Sequence, residues 1–268
     1  MLLRRLWSFI HNVYCRLIAS LKRLAFLKGG AWMSIEKGQN VVIGNGVIFG
    51  EHVVIGNNVV IYEGTEIGNN VIIQDNAVIG KQPTRAKASI LPEVKKLPPT
   101  KIGSGVTIGT SAIVYANAKI GDDVFLADLA TVRERVTVGE KTIVGRGVAI
   151  ENDCIVGKSC KLETNCYITA YSELGDYVFI APCVVTTNDN YLARGKERFD
   201  NFKGVTVKDG GRIGANATIL PGKVIHEDGT VAAGSLVSRD VEMESLVVGV
   251  PAKEIRKVPD EQLLRNQM

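Results

Sequence analysis

Aliphatic residues recur every six positions along most of this chain. The first run starts at Ile55, the second at Ile102 and the third at Ile213. A strand alternates its side chains with a period of two, and a helix repeats near 3.6 residues, so neither explains a period of six as a long element. The pattern predicts short flat strands, each with one inward aliphatic residue, joined by corners. Three such units close a triangular coil, which is typical of a solenoid.

Small residues accompany this repeat. The residue after each inward position is often Gly, and we expect glycine there to relieve the steric cost of positive φ at the corners. The residue four positions on is small or β-branched, as at Val59, Ala77, Val106 and Ala112. Stacked coils lie about 4.8 Å apart, so each inward side chain packs on those above and below it.

The repeats over 43–80, 102–187 and 213–240 resemble those of the hexapeptide-repeat acyltransferases. The closing Val-Gly-Val-Pro-Ala-Lys at 248–253 also matches. The resemblance implies an all-β solenoid, a left-handed parallel β-helix over 34–245.

Histidine content bears on the main alternative to an acyltransferase, a structural or carbonic-anhydrase-like β-helix. The carbonic anhydrase version needs histidine ligands for zinc. His11, His52 and His226 are far apart in the sequence, so we predict no metal site.

The two ends of the chain break the six-residue pattern. An apolar stripe with cations on the other side predicts an amphipathic helix over 1–33, and we expect a short helical tail over 246–268. The helix either packs on the first coil or in an oligomer, which we favour, or it lies on an anionic membrane surface.

Charge is concentrated at the N-terminus. The net charge is +4, and residues 1–30 contain six basic residues and no acid, so the remainder carries −2. This balance argues against a nucleic-acid-binding body. Cys154, Cys160 and Cys166 are six apart, which places them on different faces as buried small residues of a cytoplasmic protein.

Two breaks in the ladder predict inserted surface loops at 81–100 and 190–210. The first contains five cations and one acid, Glu93. It is either a solvated loop or a clamp over a pyrophosphate, with Lys81 and Arg85 in contact with the substrate.

The second break opens with Thr187-Asn188-Asp189. The resemblance implies that such a loop lies beside the acceptor sugar, although an Asx-rich stretch also begins ordinary loops. The predicted substrate contacts in this loop are Asn190, Tyr191 and Arg194.

A polar column interrupts the glycine corners. Corners 18 residues apart stack, and the column reads 115–117, 133–135, 151–153, 169–171 and 187–189, whereas the adjacent one has Gly at 121, 139, 157 and 175. We expect its polar side chains to converge on one small ligand, or to form a salt-bridge ladder of Arg133, Glu134, Arg135 and Glu151. The predicted catalytic group is Glu134, Asn152, Asp153, Asn188 and Asp189, with Asn117, Arg133 and Tyr171 as further substrate contacts.

The acyl donor implied by the resemblance is acetyl-CoA, bound along the late coils in a groove between two subunits of a homotrimer. Lys253, Arg256 and Lys257 of the C-terminal tail either bind its phosphates or are simply solvated. The predicted contacts are Ala170, Asn216, Ala217, Ala232, Gly234, Ser235, Lys253, Arg256 and Lys257.

The acceptor is predicted to be an amine. An amino-sugar nitrogen titrates near pH 8, as an α-amino group does, so it is partly neutral in the cytoplasm and attacks a thioester directly when positioned. The resemblance is strongest to N-acetyltransferases that act on dTDP-linked 3-amino-3,6-dideoxyhexoses for surface polysaccharides. The alternatives are a sugar O-acetyltransferase with His226 or His52 as base, and a membrane-docked scaffold.

Overall fold

The protein is a parallel β-solenoid with three flat faces. A computed structural model describes residues 23–28, 31–87 and 95–267. The three faces contain 13, 10 and 9 strands. The chain passes from the first face to the second, then to the third, and back to the first, so three edges result. We call them the 1–2, 2–3 and 3–1 edges.

Strands are numbered in chain order. The first face consists of β1 (Arg23–Lys28), β2 (Ala31–Lys37), β5 (Val53–Ile55), β8 (Ile72–Ile73), β11 (Thr107–Ile108), β14 (Phe125–Leu126), β17 (Ile143–Val144), β20 (Lys161–Leu162), β23 (Phe179–Ile180), β26 (Arg212–Ile213), β29 (Thr230–Val231), β31 (Ser245–Val248) and β32 (Lys253–Lys257).

The second face consists of β3 (Val42–Ile43), β6 (Val60–Ile61), β9 (Val78–Lys81), β12 (Ile113–Tyr115), β15 (Thr131–Val132), β18 (Ala149–Ile150), β21 (Tyr167–Ile168), β24 (Val185–Thr186), β27 (Thr218–Ile219) and β30 (Leu236–Val237). The third consists of β4 (Ile48–Phe49), β7 (Glu66–Ile67), β10 (Lys101–Ile102), β13 (Lys119–Ile120), β16 (Thr137–Val138), β19 (Ile155–Val156), β22 (Glu173–Leu174), β25 (Thr206–Val207) and β28 (Val224–Ile225).

The register confirms the 18-residue coil. Val60 pairs with Val78 and Thr131 pairs with Ala149, in parallel. The architecture is therefore the predicted all-β solenoid, consistent with a left-handed β-helix.

The core is a column of stacked inward side chains. Ile61, Ile79, Leu126 and Ile150 are almost fully buried, and so are the small residues four positions after an inward one, such as Ala112. Burial of each large aliphatic side chain stabilises the fold by about 1.5–3 kcal/mol.

Glycine has a different role from the one predicted. Apart from Gly80, the glycines directly after the inward residues do not have positive φ; a Cβ on Gly157 would lie 2.4 Å from the carbonyl oxygen of Gly175 on the next coil. Positive φ occurs instead two residues later, at positions such as Asn58 and Tyr171. These glycines therefore permit close approach of successive coils.

Two predictions for the ends of the solenoid are corrected by the structure. Residues 1–22 lie outside the described range, and the helix predicted to residue 33 is wrong from Arg23 onward, because β1 and β2 form an antiparallel pair there. The tail begins with the antiparallel β31 and β32, and only the 3-10 turns Asp260–Gln262 and Leu264–Asn266 are helical.

The second inserted loop is shorter than predicted. It ends before Thr206, because β25 pairs with β22 and β28 and Val207 is buried as an inward residue. Within this loop lies one short helix, α1 (Arg198–Asn201). Across the described ranges, no helix combines the length and hydropathy needed to cross a bilayer.

Candidate functional site

Both inserted loops leave the solenoid at the 2–3 edge. Loop 1 (82–100) connects β9 to β10, and loop 2 (187–205) connects β24 to β25. The four corners between them are 115–117, 133–135, 151–153 and 169–171, the polar column of the sequence. We call these corners and the bases of the two loops the polar edge. From β9 to β24 there are five strand steps, so the loops leave the solenoid about 24 Å apart.

Arg133 is fixed by two acids of the polar edge. Its Nε and Nη2 donate to the carboxylate of Glu134 at 2.9 and 3.2 Å, and its Nη1 lies 3.4 Å from Glu151 Oε2. Burial opposes charge on this guanidinium, but the hydrogen bond and the charge of Glu134 outweigh it, so the pKa of Arg133 is raised. Glu134 is only 3% exposed, so it positions Arg133 and does not face a ligand.

Arg135 and Asp153 form a second pair one coil apart. Arg135 Nε and Nη2 donate to the two oxygens of Asp153 at 2.5 and 2.7 Å, and the Asn152 amide donates to the same carboxylate at 2.6 Å. Burial favours the neutral acid, but these donors outweigh it and lower the pKa of Asp153. Asp153 therefore remains an anion that accepts hydrogen bonds, and it is a weak base.

An aromatic ring joins this network to loop 1. The Arg133 guanidinium carbon lies 4.7 Å from the ring centroid of Tyr115, and the Lys81 ammonium lies 5.4 Å from it. Both distances fall in the range of cation–π contacts. Two cations from different coils thus meet at one tyrosine beside the base of loop 1.

The predicted salt-bridge ladder is present for Arg133 with Glu134 and Glu151, whereas Arg135 pairs with Asp153 instead, and convergence on one ligand stays a prediction. Glu134, Asn152 and Asp153 lie on consecutive coils, and each is tied to an arginine or to its neighbour. Asn117 and Tyr171 lie at corners of the same edge, where Tyr171 is 46% exposed. Five side chains of this edge are at least partly exposed and could contact a ligand: Arg133, Glu151, Asn152, Asp153 and Tyr171.

Asp189 organises the start of loop 2. Its two carboxylate oxygens accept the backbone N–H groups of Tyr191 and Ala193 at 2.8 and 2.9 Å. These bonds lower the pKa of Asp189, which makes it a turn-forming carboxylate and a weak base. The Asn188 carbonyl accepts the Lys203 N–H at 3.2 Å and so closes the base of the loop. Asn190, Tyr191 and Arg194 are exposed.

Sequence reasoning missed the residue that supports loop 2 from inside. The Arg198 guanidinium carbon lies 4.7 Å from the Phe199 ring and 5.9 Å from the Phe202 ring, and Nη1 lies 3.5 Å from Asp189 Oδ2. The available signal was an arginine close to two phenylalanines, in a loop that was predicted to lie beside the acceptor sugar.

The predicted cofactor residues do not share one surface. Ala217 and Ser235 point inward, at 0% and 2% exposed, so their predicted contact with a cofactor is wrong. Asn216, Ala232 and Gly234 lie at corners of the 1–2 edge, whereas the largely buried Ala170 belongs to the polar edge.

The three tail cations lie on β32 and are exposed. Lys257 Nζ donates to Ser245 Oγ at 2.6 Å, while Lys253 and Arg256 extend from the same strand. They remain candidates for a phosphate contact at the end of the solenoid.

The described histidines lie away from the polar edge. His52 follows β4 and His226 follows β28, so both lie on the 3–1 edge. In the described part of the chain, no group of three or more His, Cys, Asp or Glu side chains could hold a metal ion. His11 lies outside the described residues.

Comparison with known proteins supports the repeat. The family model for the bacterial transferase hexapeptide (six repeats) matches residues 48–81 and 99–134. The bifunctional protein GlmU of Alkaliphilus oremlandii is 34% identical over 165 residues, which are 62% of this chain and 34% of that protein. A 2,3,4,5-tetrahydropyridine-2,6-dicarboxylate N-acetyltransferase of Enterococcus faecalis is 46% identical over 48 residues, 18% of this chain and 21% of that protein.

Other matches are similarly partial. A mitochondrial gamma carbonic anhydrase 2 of Arabidopsis thaliana is 43% identical over 63 residues, 23% of each chain. A hexapeptide-repeat acetyltransferase of Vibrio cholerae in complex with acetyl coenzyme A superposes with a TM-score of 0.41 and 27% identity, over 46% of this chain and 71% of that one. The chain spans less than half the length of the curated relatives it matches. The family model supports hexapeptide repeats in this chain.

Proposed function

We propose that this chain transfers the acetyl group of acetyl-CoA to the amino group of a nucleotide-linked amino sugar. The observation that carries the proposal is the polar edge, a polar surface between two loops whose ionised acids are held by arginines and hydrogen-bond donors. Such an arrangement suits a reaction that needs positioning and charge complementarity more than a strong base.

The chemistry follows from the acceptor. A neutral amine attacks the thioester carbonyl, so a C–N bond forms and the C–S bond breaks. The amine proton leaves with the departing thiolate or to water. Asp153 and Asp189 both have lowered pKa values, so neither is a good base, and their expected part is to bind and orient.

The finer assignments rest on resemblance. A dTDP-linked sugar is our first candidate for the acceptor, and a homotrimer with coenzyme A in a groove between subunits is the assembly we propose. Asn216, Ala232, Gly234 and the β32 cations are the remaining candidates for the coenzyme. A cytoplasmic location is proposed on the same basis.

The main test is a panel of nucleotide-linked amino sugars incubated with acetyl-CoA, with free thiol release as the readout. We expect thiol release that depends on the amino group and an acetamido product by mass spectrometry. Thiol release without an acceptor is hydrolysis and is subtracted. Transfer only to hydroxyl acceptors would contradict the proposal.

Histidine variants separate this proposal from an O-acetyltransferase. His52→Asn and His226→Asn should leave turnover within about threefold of the wild type, because neither residue lies on the polar edge. A loss of about 100-fold in either variant would indicate a histidine base instead.

A further inference from the structure

Charge is unevenly distributed along the polar edge. The segment 81–100 contains five basic residues and one acid, whereas the corner 151–153 contains two acids and no base. Lys96 of this segment pairs with Glu63, but Lys81 and Arg85 have no ion-pair partner among the described residues. The end of the edge near loop 1 is therefore positive, and the potential becomes more negative toward 151–153.

The positive end is a built surface. Lys81 and Arg133 approach the same ring, Tyr115, from strands two coils apart, and Gln82 holds loop 1 through two hydrogen bonds to the backbone of Leu97 at 2.9 and 3.0 Å. Arg133 uses Nε and Nη2 for Glu134, while its Nη1 contact with Glu151 is long at 3.4 Å. Guanidinium hydrogens thus remain for an anionic ligand.

The negative end suits an amine. Glu151 and Asp153 belong to one corner, and their side chains are 25% and 29% exposed. A carboxylate favours an ammonium group on arrival, and Asn152 offers an amide oxygen beside it. Arg135 holds Asp153 in place without covering it completely.

The two ends are separated by a short distance along the rod. Lys81, Tyr115, Arg133 and the 151–153 corner occupy four successive coils of the 2–3 edge. Three strand steps correspond to about 14 Å. Arg133 is the nearer of the two cations, one strand step or about 5 Å from the 151–153 corner, so a single hexose ring can span the distance from a diphosphate at Arg133 to an amine at that corner.

We propose that the substrate lies along the polar edge in one direction, with its diphosphate at Lys81 and Arg133 and its amino group at Glu151, Asn152 and Asp153. This inference rests on the proposed function and adds the orientation of the acceptor. It assigns nucleotide binding and amine positioning to different coils.

The experiment is a calorimetric titration with thymidine diphosphate and with uridine diphosphate, which lack the sugar and its amine. Lys81→Ala should weaken binding about tenfold, which corresponds to the loss of one charge-assisted contact. Asp153→Asn should leave the affinity unchanged. Lys119→Ala, which removes an exposed lysine from the third face, is the matched control and should also leave it unchanged.

Steady-state kinetics with an active amino sugar give the second readout. Lys81→Ala should raise KM with kcat nearly unchanged, whereas Asp153→Asn should lower kcat. Arg133→Lys, which retains the charge, should lie between Lys81→Ala and the wild type in diphosphate affinity.

The outcomes distinguish orientation from function. Weaker diphosphate binding by Asp153→Asn and normal binding by Lys81→Ala would overturn the orientation, even if transfer to a nucleotide-linked amine occurs. Wild-type protein that binds neither diphosphate would also overturn it. Absence of transfer to every amino acceptor would overturn the proposed function, while diphosphate binding that depends on Lys81 would still support the assigned end.

Discussion

The 2–3 edge and the 3–1 edge have the same backbone and use their side chains in opposite ways. Both turn each corner through a residue with positive φ, such as Asp153 on one and Tyr177 on the other. At the 3–1 edge, Asp122 accepts the Ser104 N–H at 2.7 Å and Asp176 accepts the Lys158 N–H at 2.9 Å. These side chains satisfy backbone donors of the adjacent coil.

At the polar edge the charged side chains bind one another instead. The Arg133 and Arg135 pairs leave ionised groups at the surface between two loops. The comparison shows that a solenoid corner needs only a compatible φ and close packing. Its side chains can therefore either hydrogen-bond to the backbone of the next coil or form a binding surface. Four measurements can break or sharpen this distinction.

The largest expected effect concerns the interior, which should be equally closed beneath both edges. Burial raises the pKa of Cys154, which follows the polar edge, to about 12, and that of Cys160, which follows the 3–1 edge, to about 11. Native-state alkylation at pH 8 should modify the exposed Cys183 and leave both buried thiols at least about 1,000-fold slower, because they react only after unfolding. Peptide mass mapping checks this. Faster labelling of Cys154 than of Cys160 would show that the polar edge opens locally.

Turnover should depend on one edge only. Asp153→Asn removes the anion that holds Arg135 and should lower kcat/KM about 100-fold, equivalent to about 2.7 kcal/mol. Asp176→Ala removes a partly exposed acceptor at the 3–1 edge and should cost about 1 kcal/mol of stability with turnover unchanged. Thermal melting and thiol-release assays on both variants separate the two roles. Equal loss of turnover in both would contradict the distinction.

At the glycine corners, a clash between coils should make a Gly→Ala substitution more costly than a positive φ does. Gly157→Ala places a Cβ against the Gly175 carbonyl and should destabilise the protein by about 2 kcal/mol. Gly46, at the 2–3 edge, has a φ of 71° and open space around it, so Gly46→Ala should cost about 1 kcal/mol. Denaturant titrations measure both. A larger cost at Gly46 would mean that conformation, and not contact between coils, selects glycine at corners.

The periodic part of this fold was predictable from the sequence, because each inward residue repeats the same environment. The six-residue repeat that includes Ile61, Ile79 and Leu126 predicts both where the strands lie and which residues are buried. The exceptions lie where the period ends. Strand β1 was predicted as helix, since its stripe of apolar residues fits either element. Strand β25 was missed although its inward Val207 stands six residues before Ile213, because a single repeat unit beside a long loop is a weak signal.

The candidate site was predictable as a column but not as a set of bonds. The 18-residue spacing brought Glu134 and Asp153 to one edge, yet spacing alone does not state that Glu134 is buried under Arg133. The same limit explains Ala217 and Ser235, whose small size fitted a groove equally well as the interior. That both loops leave the same edge follows from counting rungs between the breaks, a signal present in the sequence.

The smallest expected effect tests whether ionised side chains stabilise the polar edge. Hydrogen bonds from Arg135 and Asn152 outweigh burial and lower the folded-state pKa of Asp153 below its unfolded value of about 3.9. The pair therefore stabilises the protein above about pH 4, and this contribution is lost as the pH falls through the folded pKa. Because Asp153 remains partly exposed, we expect less than about 1 kcal/mol. Urea titrations at pH 7 and pH 3 should show Asp153→Asn less stable than wild type at neutral pH and closer to it in acid. A constant difference between the two proteins would mean that Asp153 acts through packing, and the polar edge would then resemble the 3–1 edge in how it holds the coils together.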